Sequence, residues 1–592
     1  MRAPVTLERW PADDPAPPIT RGATKPRAIS WFGFSAFWGH LRHLVASAIA
    51  TENIDSRQWM IPEAPDVLLG RVLEVIGTRA SRLPGGGLKG ETLAEAMGGE
   101  VWIDFIADTG DDVTVSEVVA RMFSSTFEVD DPDRPGEKLV LPRGDVLFLG
   151  GDLAYPVATV LEMTRRLVEP WNRVLVERMD GAPRVLLAVP GNHDWYDGLD
   201  GFARLCQAPC AFEDRVPASA DPLHPEPERH PVLAWAEAFA RGDQVKKPSA
   251  LGLAGYVPVQ RCSYFRLPLA PGIDLFAVDR QLKRVDPRQQ AYFCIPGAPA
   301  RVVVVPDPAR AWGERRPHGA ATLESLGIAM DKSATLLIAG DIHHYERSQE
   351  GRSTHVVAGG GGAFLHGARL GKGAYPIEAE FPGPRASRRL LWDLPLHCAV
   401  GRAGWLLPAL FAAFDCVALE EHFRVGIHAS ACVALAISLI VAIGTALLIG
   451  WRRHRIGRVV PFAAVLGLAI GAVPVGLAIA TDALASRVIW APARFAGALA
   501  LATVASSFLF GAMLMLIARL GLNHAQAYAA MGSPGYKHFV RLRVRAPSDG
   551  DPAIPMSQVD AWVVGVVDPV ARPSPVLVDA FRFDPYRKRS AS

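Results

Sequence analysis

The stretch RVLLAVPGNHDWYDG, residues 184–198, decides the fold. Val185–Val189 is an unbroken apolar run stopped by a Pro-Gly turn. An exposed strand would alternate apolar and polar residues, so this run reads as a buried strand. An amide, an imidazole and a carboxylate follow at once: Asn192, His193 and Asp194. In α/β sheets, polar groups gather beyond the carboxyl ends of strands, where the loops converge on one crevice.

The same grammar repeats between about residues 101 and 362. VWIDFIADTGD, GDVLFLGGDLAYP, IDLFAVD, ARVVVVPDP, ATLLIAGDIHHYE and THVVAGGGGAF are short apolar runs ending in Gly, Pro or Asp. Helical patterns, Val115–Phe123 and Val157–Val168, lie between them. Strands alternating with helices predict an α/β layering. The polar residues at the strand ends are Asp108 and Asp111, then Asp152 and Tyr155, then Asn192, His193 and Asp194, then Asp341, His343 and His344. Any one of them alone reads as a turn residue or helix cap. If they converge, the carboxylates repel unless a cation lies between them. Mixed Asp, Asn and His donors suit Fe, Mn or Zn better than Ca. Two such ions about 3.5–4 Å apart can clamp a phosphate ester.

The chain has 592 residues, more than one compact domain uses, and 50% are apolar. Its formal net charge is only +2, so nothing argues for a nucleic-acid partner. The seven cysteines lack paired spacing, which argues against a disulfide framework and for a reducing compartment. Residues 1–22 are polar and Pro-rich without the apolar core of a signal peptide, and read as a flexible lead-in. After Arg389 the chain turns strongly apolar. Ala429–Gly450, Val459–Ala480 and Ala496–Ile517 carry no charge and have the length of membrane spans. Ala399–Leu419 is a fourth candidate, with Arg402 and Asp415 near its ends. The basic loop WRRHRIGR, 451–458, belongs in the cytoplasm by the positive-inside rule. Four spans put both the front of the chain and its tail there too. Three put the front outside. The absence of a signal peptide and the unpaired cysteines favour four. The tail strands HFVRLRVRA and AWVVGVVDP suggest a small β-rich unit, possible packing partner of the front. The expected division is an N-terminal extension 1–100, a catalytic domain 101–395, a membrane block of three or four helices 396–520 and the tail 521–592.

DTG (Asp108–Gly110), GDLAY (Gly151–Tyr155), GNHD (Gly191–Asp194) and GDIHHYER (Gly340–Arg347) together resemble the motif set of the calcineurin-like metallophosphoesterase superfamily. The resemblance covers roughly residues 101–370. It implies a metallophosphoesterase-type β-sandwich flanked by helices and a phosphate mono- or diesterase. The implied cofactors are two divalent or trivalent metal ions, Fe, Mn or Zn. Asp152 would bridge the ions, Asp108, Tyr155 and His343 would hold one, and Asn192 and Asp341 would help hold the other. His193 would face the ester and protonate the leaving oxygen, with Asp194 orienting its ring. The pairing of Gly110 with Tyr155 is similar to the purple acid phosphatase branch, where a tyrosine three residues after the second-motif Asp replaces an imidazole. The whole layout is similar to a membrane-anchored subgroup that has Asp at the position of Asp341.

The chain departs from the superfamily pattern in two places, the first being Asp341 where the last motif has its first histidine. A histidine is also expected where Pro306 and Asp307 stand in VVVVPDP, 302–308. That keeps a second reading open: a degenerate phosphoesterase fold serving as a membrane-bound binding or sensory module. Gly-rich AGGGGAF, 358–364, lacks the Lys-Ser/Thr of a P-loop and reads as a close approach to the site. His344, His355 and His366 are further substrate-contact candidates, and residues 212–250 read as an insertion or lid. The expected setting is a bacterial-type inner or plasma membrane, with the catalytic domain cytoplasmic and the lipid bilayer and a phosphoester as partners.

Overall fold

The apolar runs that end in Gly, Pro or Asp build two seven-stranded sheets. A computed structural model describes residues 3–11, 17–34, 36, 38, 62–80, 90–208, 250–281, 285–294, 298–328, 334–371, 373–450, 456–485, 490–523, 525–547 and 556–586. In chain order the strands of the two sheets are β1 (Glu100–Ile106), β2 (Val146–Leu149), β3 (Arg184–Ala188), β4 (Tyr256–Pro258), β5 (Phe265–Ala270), β6 (Ile273–Ala277) and β7 (Ala300–Val305). They continue with β8 (Ala334–Ala339), β9 (Tyr345–Glu350), β10 (Ser353–Ala358), β11 (Ala379–Phe381), β12 (Lys537–Arg545), β13 (Gln558–Val566) and β14 (Val576–Phe583). The first sheet has the order β14-β13-β12-β1-β2-β3-β4 and the second β11-β9-β10-β8-β7-β6-β5. The strands that carry the polar ends, β1, β2 and β3 in one sheet and β6, β7 and β8 in the other, run parallel within their sheets.

Parallel strands buried on both faces read as continuous apolar runs, which is why VLFL and ATLLIA do not alternate. Their side chains still alternate in direction. Val101, Ile103 and Phe105 of β1 share one core with Val185 and Leu187, and with Val302, Val304, Leu336 and Ile338 of the second sheet. Ile106, Leu149, Leu186 and Ala188 face outward instead, onto Val115, Val119 and Phe123 of helix α1 (Val113–Phe123). Asp112 caps α1, accepting from the backbone N–H of Thr114 at 2.9 Å and Val115 at 3.3 Å.

The tail is not a separate unit. β12 pairs antiparallel with β1 over six residue pairs, from Val540 with Phe105 to Arg545 with Glu100. Arg541 lies across from Asp104 and donates to its carboxylate at 2.7 Å, both side chains being fully buried. The tail strands are therefore three of the seven strands of the first sheet, joined to the rest across more than 400 residues of chain. Nor is the start of the chain a loose lead-in. Val5–Thr6 pairs with Phe127–Glu128, the Trp10 N–H donates to Leu577 O at 2.8 Å, and Thr20 bonds Asp568. Leu68, Leu69, Val72 and Ile76, from the helix Pro65–Ala80, belong to the core between the sheets. The boundary expected at residue 100 thus falls inside one packed body, because the sheet edges need chain from both termini to cover them.

Between the sandwich and its last three strands lie several short helices and four long ones: α3 (Leu406–Arg424), α4 (Ile427–Gly450), α5 (Ile456–Ala485) and α6 (Ala491–Arg519). Three contain stretches long and apolar enough to cross a membrane: Ile427–Gly444, Val460–Ala483 and Ala491–Arg519. The fourth candidate starts later than its hydropathy suggests. Gly401 (φ 71°) and Gly404 (φ 136°) break the chain before α3, and a Cβ on Gly404 would meet the Phe32 backbone at 2.3 Å. Within the bundle, the α6 hydroxyl of Ser506 donates to buried Asp415 of α3 at 3.3 Å. Residues 451–455 of the basic loop lie outside the described residues, as does most of the expected lid, 209–249.

The sheet constrains the membrane topology. β1 precedes the helices and β12 follows them, yet they are hydrogen-bonded neighbours. Two strands of one sheet lie on one side of a bilayer, so if the apolar helices span one, the number of crossings between the strands has to be even.

Candidate functional site

The polar ends of β1, β2, β3 and β8 converge above the carboxyl edges of the two sheets. Asp108, Asp152 and Asp341 each follow a strand and each adopts the left-handed backbone conformation, with φ of 58°, 53° and 64°. That costs a non-glycine residue about 1 kcal/mol and persists where the surroundings over-determine it. Here hydrogen bonds tie the strand ends together. Asp108 N–H donates to Gly151 O at 2.9 Å, Thr109 N–H to Asp152 O at 3.0 Å and Asp341 N–H to the Asp108 carboxylate at 2.9 Å.

Asp108, Tyr155 and His343 meet. Asp108 Oδ1, the Tyr155 phenol oxygen and His343 Nε2 form a triangle with edges of 2.9, 3.2 and 3.3 Å. His343 Nδ1 faces the Phe364 carbonyl at 2.7 Å, and a carbonyl only accepts, so Nδ1 carries the ring proton. Burial pushes the pKa of His343 down to about 3, with Lys537 adding repulsion, so the ring is neutral and Nε2 bare. With Asp108 ionised, as a bound cation would keep it, the three atoms would share one hydrogen, that of the phenol. Oxygen and nitrogen ligands sit about 2.0–2.2 Å from a metal ion, which places neighbouring donors about 2.9–3.4 Å apart. The triangle has those dimensions. The arrangement of His343, one nitrogen bare and the other donating to a backbone carbonyl, is the one a metal ligand uses. Counting His, Cys, Asp and Glu alone, no group of three or more among the described residues is placed to hold a metal ion. The third corner of this triangle is a phenol.

Gly110 explains the phenol. Its φ is +34°, and a Cβ there would stand 2.3 Å from Leu153 O. No imidazole fits at 110, and the loop that excludes it carries Tyr155. Gly191 is equally constrained, since a Cβ would stand 2.1 Å from Asp152 Oδ1.

Asp152 accepts from the backbone N–H of His193 at 2.8 Å. Burial, then the neighbouring Asp341 and Asp108 respectively, raises the pKa of both Asp108 and Asp152 well above the carboxylate range. Asn192 donates to the Tyr196 hydroxyl at 2.6 Å, while its buried Oδ1 has no hydrogen-bond partner. His193 is walled by the rings of Tyr155, Tyr196 and Trp31 at 4.5, 5.0 and 6.0 Å. Its Nδ1 faces the Pro156 carbonyl at 2.7 Å.

Asp194 does not orient that ring. Its two oxygens accept the backbone N–H groups of Asp152 and Gly191 at 2.8 Å each and of Leu153 at 3.2 Å. It pins the β2 loop to the β3 loop, which places Asp152 beside Asn192. Burial pushes its pKa up to about 7. Asp111 also points elsewhere, accepting the Ile29 N–H at 2.7 Å.

The other histidines stand behind the donors. His366 stacks on His343 at 4.4 Å and accepts its backbone N–H. His344 faces Glu346 and His355 faces Glu350. The glycine run closes tightly, as its composition suggests: a Cβ on Gly359 would stand 2.6 Å from Asp108 Oδ2, and Ala363 N–H donates to Asp108 O at 2.9 Å.

A cavity of about 240 Å³ opens beside these groups, lined in part by Asn192, Tyr196, Arg280, Asp307, Arg316 and Asp341. Asp307 does lie at the end of β7, but its Oδ1 is held by Arg280 Nη1 at 2.8 Å. Burial, with repulsion from Asp307 and against the attraction of Arg280 and Arg316, raises the Asp341 pKa to about 6. Helix α2 (Pro317–Ser325) begins at the cavity with Pro317, His318 and Gly319. Two guanidiniums and a helix N-terminus make an anion-attracting wall.

Sequence reasoning missed Trp31, Arg280, Arg316 and Lys537. Arg280 had a signal, since IDLFAVD is another strand of the series and Arg280 follows its Asp. Trp31 and Lys537 had none, because they arrive from the chain ends. Lys537 is fully buried, donates to Ala363 O, and burial pulls its pKa down to about 7.

No protein-family model matches the chain, and no curated protein matches it. Among solved structures it is similar to one described as GAP50, the anchor in the inner membrane complex of Plasmodium, at 10% identity and a TM-score of 0.30, with 48% of this chain and 78% of that one covered. At that score the likeness carries no argument about fold or function.

Proposed function

We propose that the chain is a membrane-anchored, metal-dependent phosphoesterase of the metallophosphoesterase type. The observation that carries the reading is the triangle of Asp108 Oδ1, Tyr155 and bare His343 Nε2, three donor atoms 2.9–3.3 Å from one another. Asp108, Tyr155 and His343 would hold an ion, with Asp152 next to them. When bound, the ion supplies Lewis-acid charge at a phosphoryl oxygen and makes water acidic enough to attack near neutral pH. The chain's own groups do the rest. Arg280, Arg316 and the start of α2 bind the anionic phosphoryl group in the cavity. His193, with Nδ1 committed to Pro156 O, offers Nε2 to the leaving oxygen. Trp31 and Phe364, whose rings lie 5.2 Å apart, exclude water from the His193 side.

The purified full-length chain should carry tightly bound Fe, Mn or Zn and hydrolyse an aryl phosphate. His343→Ala should lose the metal and the turnover together. If iron is bound, a visible phenolate-to-iron band should vanish in Tyr155→Phe. A chain that takes up no metal and turns nothing over after loading with Mn, Fe and Zn would favour the second reading, a binding or sensory module, to which the Arg280–Asp307 pair lends support.

An even number of crossings joined to a basic 451–458 loop also favours a topology. If α3 to α6 all cross, that loop, the sandwich and the tail share one side, and the positive-inside rule makes it the cytoplasm. α3 has 19 residues and exposes Leu410 and Val417 outward, as a lipid-facing helix does. In a cysteine-free background, Gly426→Cys and His454→Cys should react with an impermeant thiol reagent from opposite faces of the membrane. Labelling of both from the same face would mean that α4 does not cross, and labelling of Gly426→Cys from the face of the tail would remove α3 as a span.

A further inference from the structure

We infer that this chain carries its own cation in the second half of the site: the Arg280 guanidinium, clamped by Asp307, takes the place of a second metal ion, so that the protein binds one ion per chain. The inference rests on the phosphoesterase reading above. That reading, through the resemblance, assigns Asn192 and Asp341, and whatever stands at 306–307, to a second ion.

The residues present do not fit that ion as they stand. Asp307 occupies the position at the end of β7, but its Oδ1 is spent on Arg280 Nη1 at 2.8 Å. Arg280 is held from the other end by its Nε, which donates to Gln281 O at 3.1 Å. Gln281 is itself locked at a φ of 57°, its N–H on Asp279 Oδ1 at 2.9 Å and its side-chain oxygen accepting the Asp286 N–H. The guanidinium is thus positioned by a built turn, and its charge faces Asp307, Asp341 and Asp152. Those are the carboxylates that a second ion would otherwise neutralise. A planar, permanently charged group with its remaining N–H donors toward a cavity can bind phosphoryl oxygens as an ion does. A metal ion beside it would be repelled. In the first half the neighbouring cation is the Lys537 ammonium, whose charge reaches His343 and Asp108 but which donates to Ala363 O and not to an atom of the triangle, and which burial brings close to neutrality.

The position of Asp307 then has a reason. A histidine there could ligate a metal but would bring no negative charge to set against a guanidinium. An aspartate does the second.

The test is metal stoichiometry of the full-length protein in detergent after loading with excess Mn or Zn and removal of free ion. Wild type should hold about one equivalent per chain, and Arg280→Met about two, because Asn192 Oδ1, Asp307 and Asp341 become three free oxygen donors around one cavity. Arg280→Gln is the milder variant should Arg280→Met fail to fold, with the same expected gain. Two equivalents in wild type would overturn the inference and leave the phosphoesterase reading standing. One equivalent in wild type and in both variants would also overturn it, since the guanidinium would not be what excludes the ion. No metal in any of the three would sink the phosphoesterase reading and this inference with it.

Discussion

His193→Ala should lower kcat toward an aryl phosphate by about 10²–10⁴-fold, the range a positioned acid or base contributes, and should leave the metal content unchanged. The geometry separates the two effects. His193 is absent from the donor triangle of Asp108, Tyr155 and His343. What it gives to the metal half is a backbone N–H on Asp152 Oδ1 at 2.8 Å, and alanine keeps that bond. What it would give to the proposed reaction is a ring nitrogen. With Nδ1 against the Pro156 carbonyl at 2.7 Å and three aromatic rings fixing its plane, the imidazole moves a proton at Nε2 alone. If the proton goes to the leaving oxygen, the loss should be smaller for a nitrophenyl ester, whose leaving group needs little help, than for an alkyl phosphate. Parallel kcat and elemental measurements on wild type and variant decide it. Loss of metal together with activity would make His193 a ligand. Equal losses on both esters would take leaving-group protonation away from it.

The largest effect on stability is expected from Arg541→Met, about 3–5 kcal/mol, the cost of stripping one partner from a buried ion pair. Arg541 spends its donors fully. Nε and Nη2 reach Asp104 at 2.7 and 3.1 Å, Nη1 reaches Ser125 O and Leu141 O, and Nη2 also reaches Phe123 O at 2.6 Å. Methionine leaves a buried carboxylate and three carbonyls without those partners, at the junction of β1 with β12. The tail strands should loosen first, so protease cleavage at Arg543 and Arg545 should accelerate along with a lower melting temperature in detergent. The double variant Asp104→Leu/Arg541→Met removes both charges and should recover most of the loss, since a buried pair replaced by apolar groups is often neutral. A single variant that melts within a degree of wild type would show that the pair does not hold the two halves of the sheet together.

Much of the site was legible because its parts are local. Each of GDLAY, GNHD and GDIHHYE carries its strand, its turn and its donors within a dozen residues, and the order apolar run, glycine, carboxylate is enough to point Asp152, Asn192, His193, Asp341 and His343 at a common edge. Tyr155 was legible for the same reason, although only the 2.3 Å clash at Gly110 shows why a phenol stands there. The three most apolar helices were legible from composition alone, since about 20 uninterrupted apolar residues have few other uses. The role first given to Asp194 was not legible. From sequence it is simply the neighbour of His193, whereas the fold turns its carboxylate back onto three backbone amides.

What the sequence determined by itself was therefore what short-range chemistry can encode: two periods of hydrophobicity, the turns that end the strands, and the residue types at those turns. Only the tertiary structure decided which strands share a sheet. Pairing β12 with β1 brings together segments separated by the whole membrane block, and no local pattern distinguishes that from a free-standing tail. The same long-range closure delivers Lys537 behind Asp108, Trp31 over His193 and Arg280 onto Asp307, and it would require an even number of crossings if the apolar helices span a bilayer. The physical reason is common to all of these. A sheet edge and a buried charge are each satisfied by any partner of the right chemistry, and distance along the chain does not enter that requirement.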